Sequence, residues 1–223
     1  MIFPDRSAAG RMLGARLSQF QNREDVLVLA LPRGGVPVGW EVARALNAPL
    51  DVFLVRKLGA PGQEELAIGA IASGGVRLLD AKTVRVLGVS DRQADAIAQR
   101  EAKELERREH LYRGNRRPLD VHGRTLIVVD DGMATGSSMR VAVKALRQQG
   151  PREIVVAIPV APPAACKEVE QDADAVVCLY TPPYFYAVGR WYSNFSQIGD
   201  EEVRDLLARS KRPAEQVNKS PQS

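Results

Sequence analysis

The stretch from Leu126 to Arg140, LIVVDDGMATGSSMR, limits the possible folds of this chain more than any other. It opens with a continuous apolar run, which is typical of a parallel strand that is covered on both faces. Asp130 and Asp131 follow at the expected strand end, and a loop of small and hydroxyl residues leads into a helical segment. Such a junction binds anions, because unpaired backbone N–H groups and the positive end of the helix dipole point to the same place. Since the two acids suit sugar hydroxyls or a divalent cation, the stretch predicts adjacent sites for a sugar and for its phosphate.

The residue pattern of the loop excludes two common nucleotide-binding motifs. A Walker A loop needs a Lys before its last Ser or Thr, and a dinucleotide fingerprint needs G-x-G-x-x-G. The loop contains neither pattern. A plain strand-to-helix turn with an Asp N-cap stays open as an alternative, although a cap accounts for one acid and not for the pair and the hydroxyl loop.

The stretch resembles the phosphoribosyl pyrophosphate (PRPP) loop of type I phosphoribosyltransferases, in which apolar residues precede two acids, a short spacer and T-G-x-[ST]. The matching residues here are VVDDGMATGSS. The resemblance implies that Asp130 and Asp131 are catalytic residues that hold the ribose 2′ and 3′ hydroxyls. It also implies Mg²⁺ as a cofactor, held mainly by the substrate with these two acids as direct or indirect ligands. The resemblance implies that the last four residues of the loop wrap around the 5′-phosphate. The loop residues that it implies to bind PRPP are Gly132, Met133, Ala134, Thr135, Gly136, Ser137 and Ser138.

A second junction of the same kind lies earlier in the chain. The apolar run from Val26 to Leu31 ends in Pro32-Arg33-Gly34-Gly35, and a helical segment follows. Glycine lets the backbone approach a ligand closely, and an arginine supplies a positively charged fork. LPRGG is similar to the pyrophosphate loop of the same family, which commonly carries a cis peptide bond. The resemblance implies that Arg33, Gly34 and Gly35 bind PRPP and that Arg33 stabilises the leaving pyrophosphate.

Residues 56–67 follow an expected strand from Leu50 to Val55 and allow two interpretations. They form either a solvated loop or a mobile lid that brings Arg56 or Lys57 to the leaving pyrophosphate. A corresponding loop in the family closes over the reaction and excludes water, so the resemblance adds Lys57 to the PRPP-binding residues.

A long insertion separates the two junctions. Residues 68–79 predict a hairpin, and Asp91 to Tyr112 predict a long helix with Ser90 as its N-cap. The resemblance does not account for residues 58–118. We expect them to form a small subdomain or a dimer arm.

An aromatic segment follows the last expected strand, Ala175 to Tyr180. Its aromatic side chains form either a core plug under a loop or a stacking wall for a planar base. Purine-salvage members of the family have a C-terminal hood with an aromatic residue shortly before V-G, and Tyr186 matches that position. The resemblance therefore implies Tyr186, and Trp191 as a second candidate, as acceptor-binding residues.

Two positions depart from the pattern of the 6-oxopurine members of the family. Ala134 stands where those members carry an acid that acts on the base, and Ser193 stands where their hood carries an Asp. Both departures argue against a standard 6-oxopurine acceptor. Glu64 and Glu65 are candidates for a general base that takes the acceptor proton.

The alternation of strands and helices predicts an α/β fold with a doubly wound parallel sheet of about five strands. Both loops then lie at the carboxyl ends of strands, near a switch point. We expect one phosphoribosyltransferase-like domain over residues 1–210, with an inserted lid or subdomain at about 58–118, a hood at about 181–200 and a disordered tail at 211–223.

Composition narrows the possible functions. The chain of 223 residues has no apolar run near the ~20 residues of a membrane span and no signal-peptide pattern. Two cysteines outside a C-x-x-C motif favour reduced thiols and a cytoplasmic protein. The net charge of +4 fits phosphorylated small-molecule substrates, and no nucleic-acid module is evident. A homodimer is compatible with the insertion.

The function implied by the resemblance is transfer of a 5-phosphoribosyl group from PRPP to a nitrogen acceptor, with a nucleobase favoured and pyrophosphate released. A non-catalytic, PRPP- or nucleotide-sensing regulatory protein on the same fold is the alternative. An Mg²⁺-dependent phosphatase that uses the acid pair would leave the R-G-G loop and the aromatic segment unexplained.

Overall fold

The structure, a computed structural model, describes residues 2–118 and 120–210, so the predicted tail lies outside the described residues. The strands are β1 (Val26–Ala30), β2 (Leu50–Val52), β3 (Val55–Ala60), β4 (Gln63–Ala72), β5 (Val76–Leu79), β6 (Thr125–Val129), β7 (Glu153–Val160) and β8 (Ala175–Tyr180). The α-helices are α1 (Arg6–Arg16), α2 (Gly35–Leu46), α3 (Ala81–Val86), α4 (Asp91–Arg113), α5 (Ser137–Arg147), α6 (Pro163–Glu170) and α7 (Asp200–Arg209). Short 3-10 helices span Ser18–Phe20 and Val188–Trp191.

The main sheet has five parallel strands in the order β2-β1-β6-β7-β8, which confirms the predicted fold class. Every residue of β1 and β6 is buried, as their continuous apolar runs predict. The chain leaves β1 toward β2 on one side and leaves β6 toward β7 on the other. The carboxyl ends of β1 and β6 therefore flank the switch point of the sheet, where α/β proteins bind ligands.

Helices cover both faces of this sheet. On one face, Val28 and Ile127 pack in a core that includes side chains of α1, α2, α4 and α7. On the other face, Leu27 and Leu126 pack in a core that includes side chains of α5 and α6. The side chains alternate along each strand, so adjacent apolar residues supply both cores.

The insertion contains an antiparallel sheet in the order β3-β4-β5. The interpretation of residues 56–67 as a solvated loop is wrong, because most of them belong to the hairpin of β3 and β4. Leu58 and Ile68 are fully buried, and this burial fixes the hairpin although glycine, proline and charged residues lie between them. The turn uses Gly62, whose φ is +72°. The predicted hairpin of β4 and β5 is confirmed, with its turn at Ser73-Gly74-Gly75.

Helix α4 confirms the predicted long helix and its N-cap. Ser90 and Gln93 form a reciprocal capping box at its start. Near its end, Nε of Arg113 donates to Oδ1 of Asp51 at 2.9 Å, and both side chains are almost completely buried. This ion pair joins the insertion to the edge strand β2. Among the described helices, none combines the length and the apolar character that a membrane span requires.

Candidate active site

The two loops predicted from the sequence lie in direct contact. Strands β1 and β6 pair in parallel with Ala30 opposite Val129, so the residues that follow them emerge side by side. A Cβ at Gly34 would overlap the carboxylate of Asp131, and a Cβ at Gly35 would lie 2.8 Å from the carbonyl oxygen of Val129. Both glycines are therefore required by close packing. The Pro32–Arg33 peptide bond is cis.

Two helix N-termini face this junction without side-chain caps. Helix α2 has Gly34 as its N-cap and α5 has Gly136, whose φ is +74°. The first N–H groups of a helix have no partner within the helix, so an N-terminus without a cap can offer them to an anion, as at the start of α5. At the start of α2, the N–H groups of Gly35 and Val36 already donate to the backbone oxygens of Leu31 and Arg33, and Pro37 has no N–H. Thr135 and Ser137 lie beside the start of α5, with their hydroxyl oxygens 2.9 Å apart. The start of α5 therefore suits a phosphate group.

The two acids lie between these helix N-termini. Oδ1 of Asp130 accepts a hydrogen bond from the backbone N–H of Asp131 at 2.8 Å. Burial raises the pKa of Asp130 well above its usual value, and the neighbouring charge of Asp131 adds to this. Burial also raises the pKa of Asp131, against the opposing effect of the Arg6 guanidinium, whose Nε donates to Asp131 Oδ2 at 2.7 Å. Proton-donating hydroxyls of a sugar would compensate the buried charge of this pair.

Arg33 lies beside an element that is distant in the sequence. Its guanidinium is 3.7 Å from Asp200, the first residue of α7, and 40% of the Arg33 side chain is exposed. The hydroxyl of Tyr112 donates to the same Asp200 carboxylate at 2.8 Å. Burial and the hydrogen bond to Asp200 raise the pKa of Tyr112 to about 12, so this hydroxyl keeps its proton at neutral pH. No local sequence pattern pointed to α7 or Tyr112 at this site.

A cavity of about 140 Å³ opens at the carboxyl ends of β1, β2 and β6. Its lining residues are Leu31, Pro32, Phe53, Leu54, Val55, Arg56, Arg108, Tyr112, Asp130 and Ser138. The cavity thus joins both predicted loops, and α4 contributes Arg108 and Tyr112 to its wall. Arg56 is held at the cavity by Glu101, which accepts from its Nη2 at 2.5 Å.

Lys57 lies next to this cavity but does not line it. It lines an adjoining groove of about 370 Å³ that shares Arg56 and Arg108 with the cavity. Its Nζ donates to the backbone oxygen of Glu65 at 3.1 Å. Glu64 and Glu65 belong to this groove and not to the cavity beside Asp130. Their assignment as general bases has no contact to support it.

A family model described as phosphoribosyl transferase domain matches residues 6–187 of the chain. The chain belongs to this family. The match includes both loops and the insertion, and it agrees with the predicted type I phosphoribosyltransferase resemblance.

Curated relatives of this phosphoribosyl transferase domain include two proteins of Mycobacterium tuberculosis, one from strain CDC 1551 and one from strain H37Rv. Both are provisionally named phosphoribosyl transferases. Each is 45% identical over 211 residues, which cover 95% of this chain and 47% of the relative. The chain therefore spans about half the length of these relatives. The uracil phosphoribosyltransferase of Lactobacillus gasseri is 31% identical over 153 residues, covering 66% of this chain and 69% of that protein.

A solved structure, TT1426 from Thermus thermophilus, resembles this phosphoribosyl transferase domain closely. It is 43% identical in sequence and superposes with a TM-score of 0.82, covering 93% of this chain and 98% of the other. The likeness extends over nearly the whole described fold, and it supports the arrangement of the insertion as well as that of the main sheet.

The aromatic segment of this phosphoribosyl transferase domain divides into exposed and packed rings. Tyr186 is 78% exposed, and the guanidinium carbon of Arg190 lies over its ring, 5.1 Å from the ring centre. Trp191 is half-buried and packs edge-on against Tyr180 and stacked on Phe185. The core-plug interpretation thus fits Trp191, whereas Tyr186 is accessible to a ligand. Neither ring lines the cavity beside Asp130.

The hood and the N-terminal segment join at the acid pair of this phosphoribosyl transferase domain. Phe3 forms a parallel bridge with Tyr192, and the Tyr192 hydroxyl donates to the backbone oxygen of Asp131. Arg6, on the first turn of α1, contacts the Asp131 carboxylate from the same side. Sequence reasoning missed Arg6 and Tyr192 because 125 and 61 positions separate them from Asp131.

In the described part of this phosphoribosyl transferase domain, no group of three or more His, Cys, Asp or Glu side chains is placed to hold a metal ion by itself. Mg²⁺ commonly binds through one or two carboxylates together with substrate phosphates and water. The pair Asp130 and Asp131 fits that mode, because the two carboxylates lie side by side next to the N-terminus of α2. The residues therefore fit an ion that arrives with its substrate.

Proposed function

We propose that this chain transfers a 5-phosphoribosyl group from PRPP to a nitrogen acceptor, with a nucleobase as the favoured class, and releases pyrophosphate. One observation carries the proposal: a pair of half-buried carboxylates lies at the switch point of the sheet, beside the N-termini of α2 and α5, neither of which has a side-chain cap. PRPP carries a 5′-phosphate, two ribose hydroxyls and a pyrophosphate in that order. In this proposal, the start of α5, the acid pair and Arg33 bind these groups in the same order. A cytoplasmic location and a homodimer, both predicted from the sequence, are part of this proposal.

Each loop has a distinct task in this reaction. The start of α5, with Thr135 and Ser137, binds the 5′-phosphate through N–H and hydroxyl donors. Asp130 and Asp131 accept hydrogen bonds from the ribose hydroxyls and offset the positive charge that develops on the sugar as its bond to pyrophosphate breaks. Such fixed charges act strongly because they need no reorganisation when the reaction occurs.

The departing pyrophosphate needs positive partners. Arg33 supplies one, and Lys57 lies on the adjoining groove. Mg²⁺ bound with the substrate neutralises phosphate charge. Because Arg33 is 3.7 Å from Asp200, it exchanges an exposed ion pair for the phosphate when PRPP binds.

PRPP with Mg²⁺ is expected to raise the melting temperature of the protein. A ligand at 100 times its dissociation constant stabilises the folded state by ~2.7 kcal/mol. Differential scanning fluorimetry with increasing PRPP measures the shift. Mg²⁺ alone and inorganic phosphate with Mg²⁺ are the controls. A melting temperature that stays constant at millimolar PRPP would refute the proposal.

A regulatory, PRPP-sensing role is the second candidate, and one observation favours it. Two arginines beside the cavity, Arg56 and Arg108, are already paired with acids of α4. Such pairing reduces the positive charge available to a leaving pyrophosphate. Pyrophosphate release measured with PRPP, Mg²⁺ and a panel of nucleobases distinguishes the two functions. A sensor binds PRPP and releases no pyrophosphate with any acceptor.

Tyr186→Ala is expected to raise the KM of the acceptor and to leave the melting temperature unchanged, because the ring is exposed. Stacking on an aromatic ring contributes ~1–3 kcal/mol per base in nucleic-acid complexes, which sets the scale of the effect. Tyr184→Ala is the matched control, since Tyr184 is also exposed, at 79%. Steady-state kinetics with varied acceptor and varied PRPP measure both constants. Equal effects of the two variants would rule out a specific base-stacking role for Tyr186.

A further inference from the structure

Arg6 is a nearly buried cation with three defined contacts around its guanidinium. Its Nε donates to Oδ2 of Asp131 at 2.7 Å, and its Nη1 donates to the backbone oxygen of Ser196 at 2.8 Å. The guanidinium carbon lies 3.8 Å from the centre of the Phe195 ring. Only 9% of the Arg6 side chain is exposed. An arginine held on three sides cannot rearrange without disrupting the hood, so it fixes the group that it binds.

The backbone that carries Arg6 is also fixed. Asp5 caps α1 by accepting from the N–H of Ala8 at 2.7 Å. Farther along α1, a Cβ at Gly10 would lie 2.7 Å from the backbone oxygen of Val38, which shows how closely α1 packs on α2. Helix α2 begins at the pyrophosphate-loop glycines. Arg6 is thus held at a fixed distance from both loops of the site.

The ion pair determines which carboxylate oxygen of Asp131 is available. Oδ2 accepts from Arg6, so Oδ1 is the oxygen of this carboxylate that the guanidinium leaves to other partners. The backbone oxygen of the same residue accepts from the Tyr192 hydroxyl, so Asp131 is restrained at both its side chain and its main chain. A single oxygen is then left for a ligand, in one orientation.

We propose that Arg6 is a positioning residue, which orients the Asp131 carboxylate so that its second oxygen receives a ribose hydroxyl. The N-terminal segment, with its bridge to the hood, thereby completes the ribose site. The inference depends on the proposed function in one respect, which is that the ligand at Asp131 is a ribose. Its physical basis is that a preorganised, charge-compensated acceptor binds a hydroxyl more tightly than a mobile one.

Arg6→Gln separates this role from general stabilisation, because the ligands of the site differ in whether they contain ribose. The variant should bind PRPP and ribose 5-phosphate about tenfold more weakly, on the scale of one hydrogen bond to a charged group. Its affinity for pyrophosphate, which has no ribose, should match that of the parent. Arg6→Lys should recover part of the lost affinity because it keeps the positive charge beside Asp131. Isothermal titration calorimetry in the presence of Mg²⁺ measures all three ligands.

Arg11→Gln is the matched control. Arg11 lies on the same helix and carries the same charge, but its side chain is 59% exposed and its partner is Glu41. Its replacement should leave all three dissociation constants unchanged. A loss of pyrophosphate affinity in Arg6→Gln equal to the loss of PRPP affinity would show a structural role and overturn the proposal.

A double-mutant cycle with Asp131→Asn tests whether Arg6 acts through Asp131. If it does, Arg6→Gln should weaken PRPP binding in the parent and have little further effect in the Asp131→Asn background. Additive losses would overturn the inference, as would an Arg6→Gln variant that binds PRPP like the parent. A parent protein that binds pyrophosphate but neither PRPP nor ribose 5-phosphate would instead refute the proposed function.

Discussion

Asp130→Asn is expected to lower kcat for phosphoribosyl transfer by about 100- to 1,000-fold, the scale for removing one preorganised group that stabilises transition-state charge. Asparagine has the shape of the aspartate and can still accept the N–H of Asp131, but it cannot offset positive charge on the ribose. The melting temperature should equal or exceed that of the parent. Burial and the Asp131 charge raise the pKa of Asp130, so its ionised form destabilises the folded state and the neutral amide relieves this.

Steady-state kinetics and thermal unfolding of the same Asp130→Asn preparation test both parts of this expectation. Asp95→Asn is the control, because Asp95 is exposed on α4 and pairs with Arg77. It should change neither kcat nor the melting temperature. An Asp130→Asn variant that turns over like the parent would exclude this carboxylate from the reaction.

Arg113→Met is expected to lower the free energy of unfolding by about 3–5 kcal/mol, because it leaves the buried charge of Asp51 without this arginine. The side chains of the pair are 6% and 2% exposed, and Nη2 of Arg113 also donates to the backbone oxygen of Val52. The pair connects α4 to the edge strand of the main sheet. Its loss should therefore weaken the attachment of the whole insertion.

Urea-induced unfolding measures this change, with Arg107→Met as the matched control on the same helix. Arg107 pairs with Glu104 on the surface, so its replacement should have little effect. The double variant Arg113→Met with Asp51→Leu should regain part of the lost stability, since the buried charge of Asp51 is then removed and Glu109 alone has lost its arginine partner. Similar unfolding midpoints for Arg113→Met and Arg107→Met would contradict the expected role of the buried pair.

Local patterns predicted the main sheet because the determining interactions lie close together in the sequence. The apolar runs of β1 and β6 are buried on both faces, and the two glycine-containing loops follow them directly. The start of α4 was predictable for the same reason, because its capping box joins residues only three positions apart. Both loops of the candidate site were therefore visible in the sequence.

The contacts between distant segments were not predictable in this way. Arg6 is a polar residue in the first turn of α1 with no local pattern around it, and only the folded chain brings it to Asp131. Residues 56–67 contain glycine, proline and charges, but burial of Leu58 and Ile68 in the tertiary core outweighs these local signals. Helix α7 places Asp200 beside Arg33 through packing on α2 and α4. Each of these features depends on long-range packing, which single-sequence patterns do not encode.

The close packing of Gly34 on Asp131 has a consequence for how this site tolerates sequence change. Any side chain at position 34 would overlap the Asp131 carboxylate, so the two positions cannot vary independently. A saturation library at position 34 in the parent should yield folded, active clones that carry glycine alone. Shrinking residue 131 would make room for alanine at 34, but it would also remove the carboxylate. The loop of Arg33, Gly34 and Gly35 and the acid pair thus form one steric unit, and transplanting either loop into another scaffold requires the other.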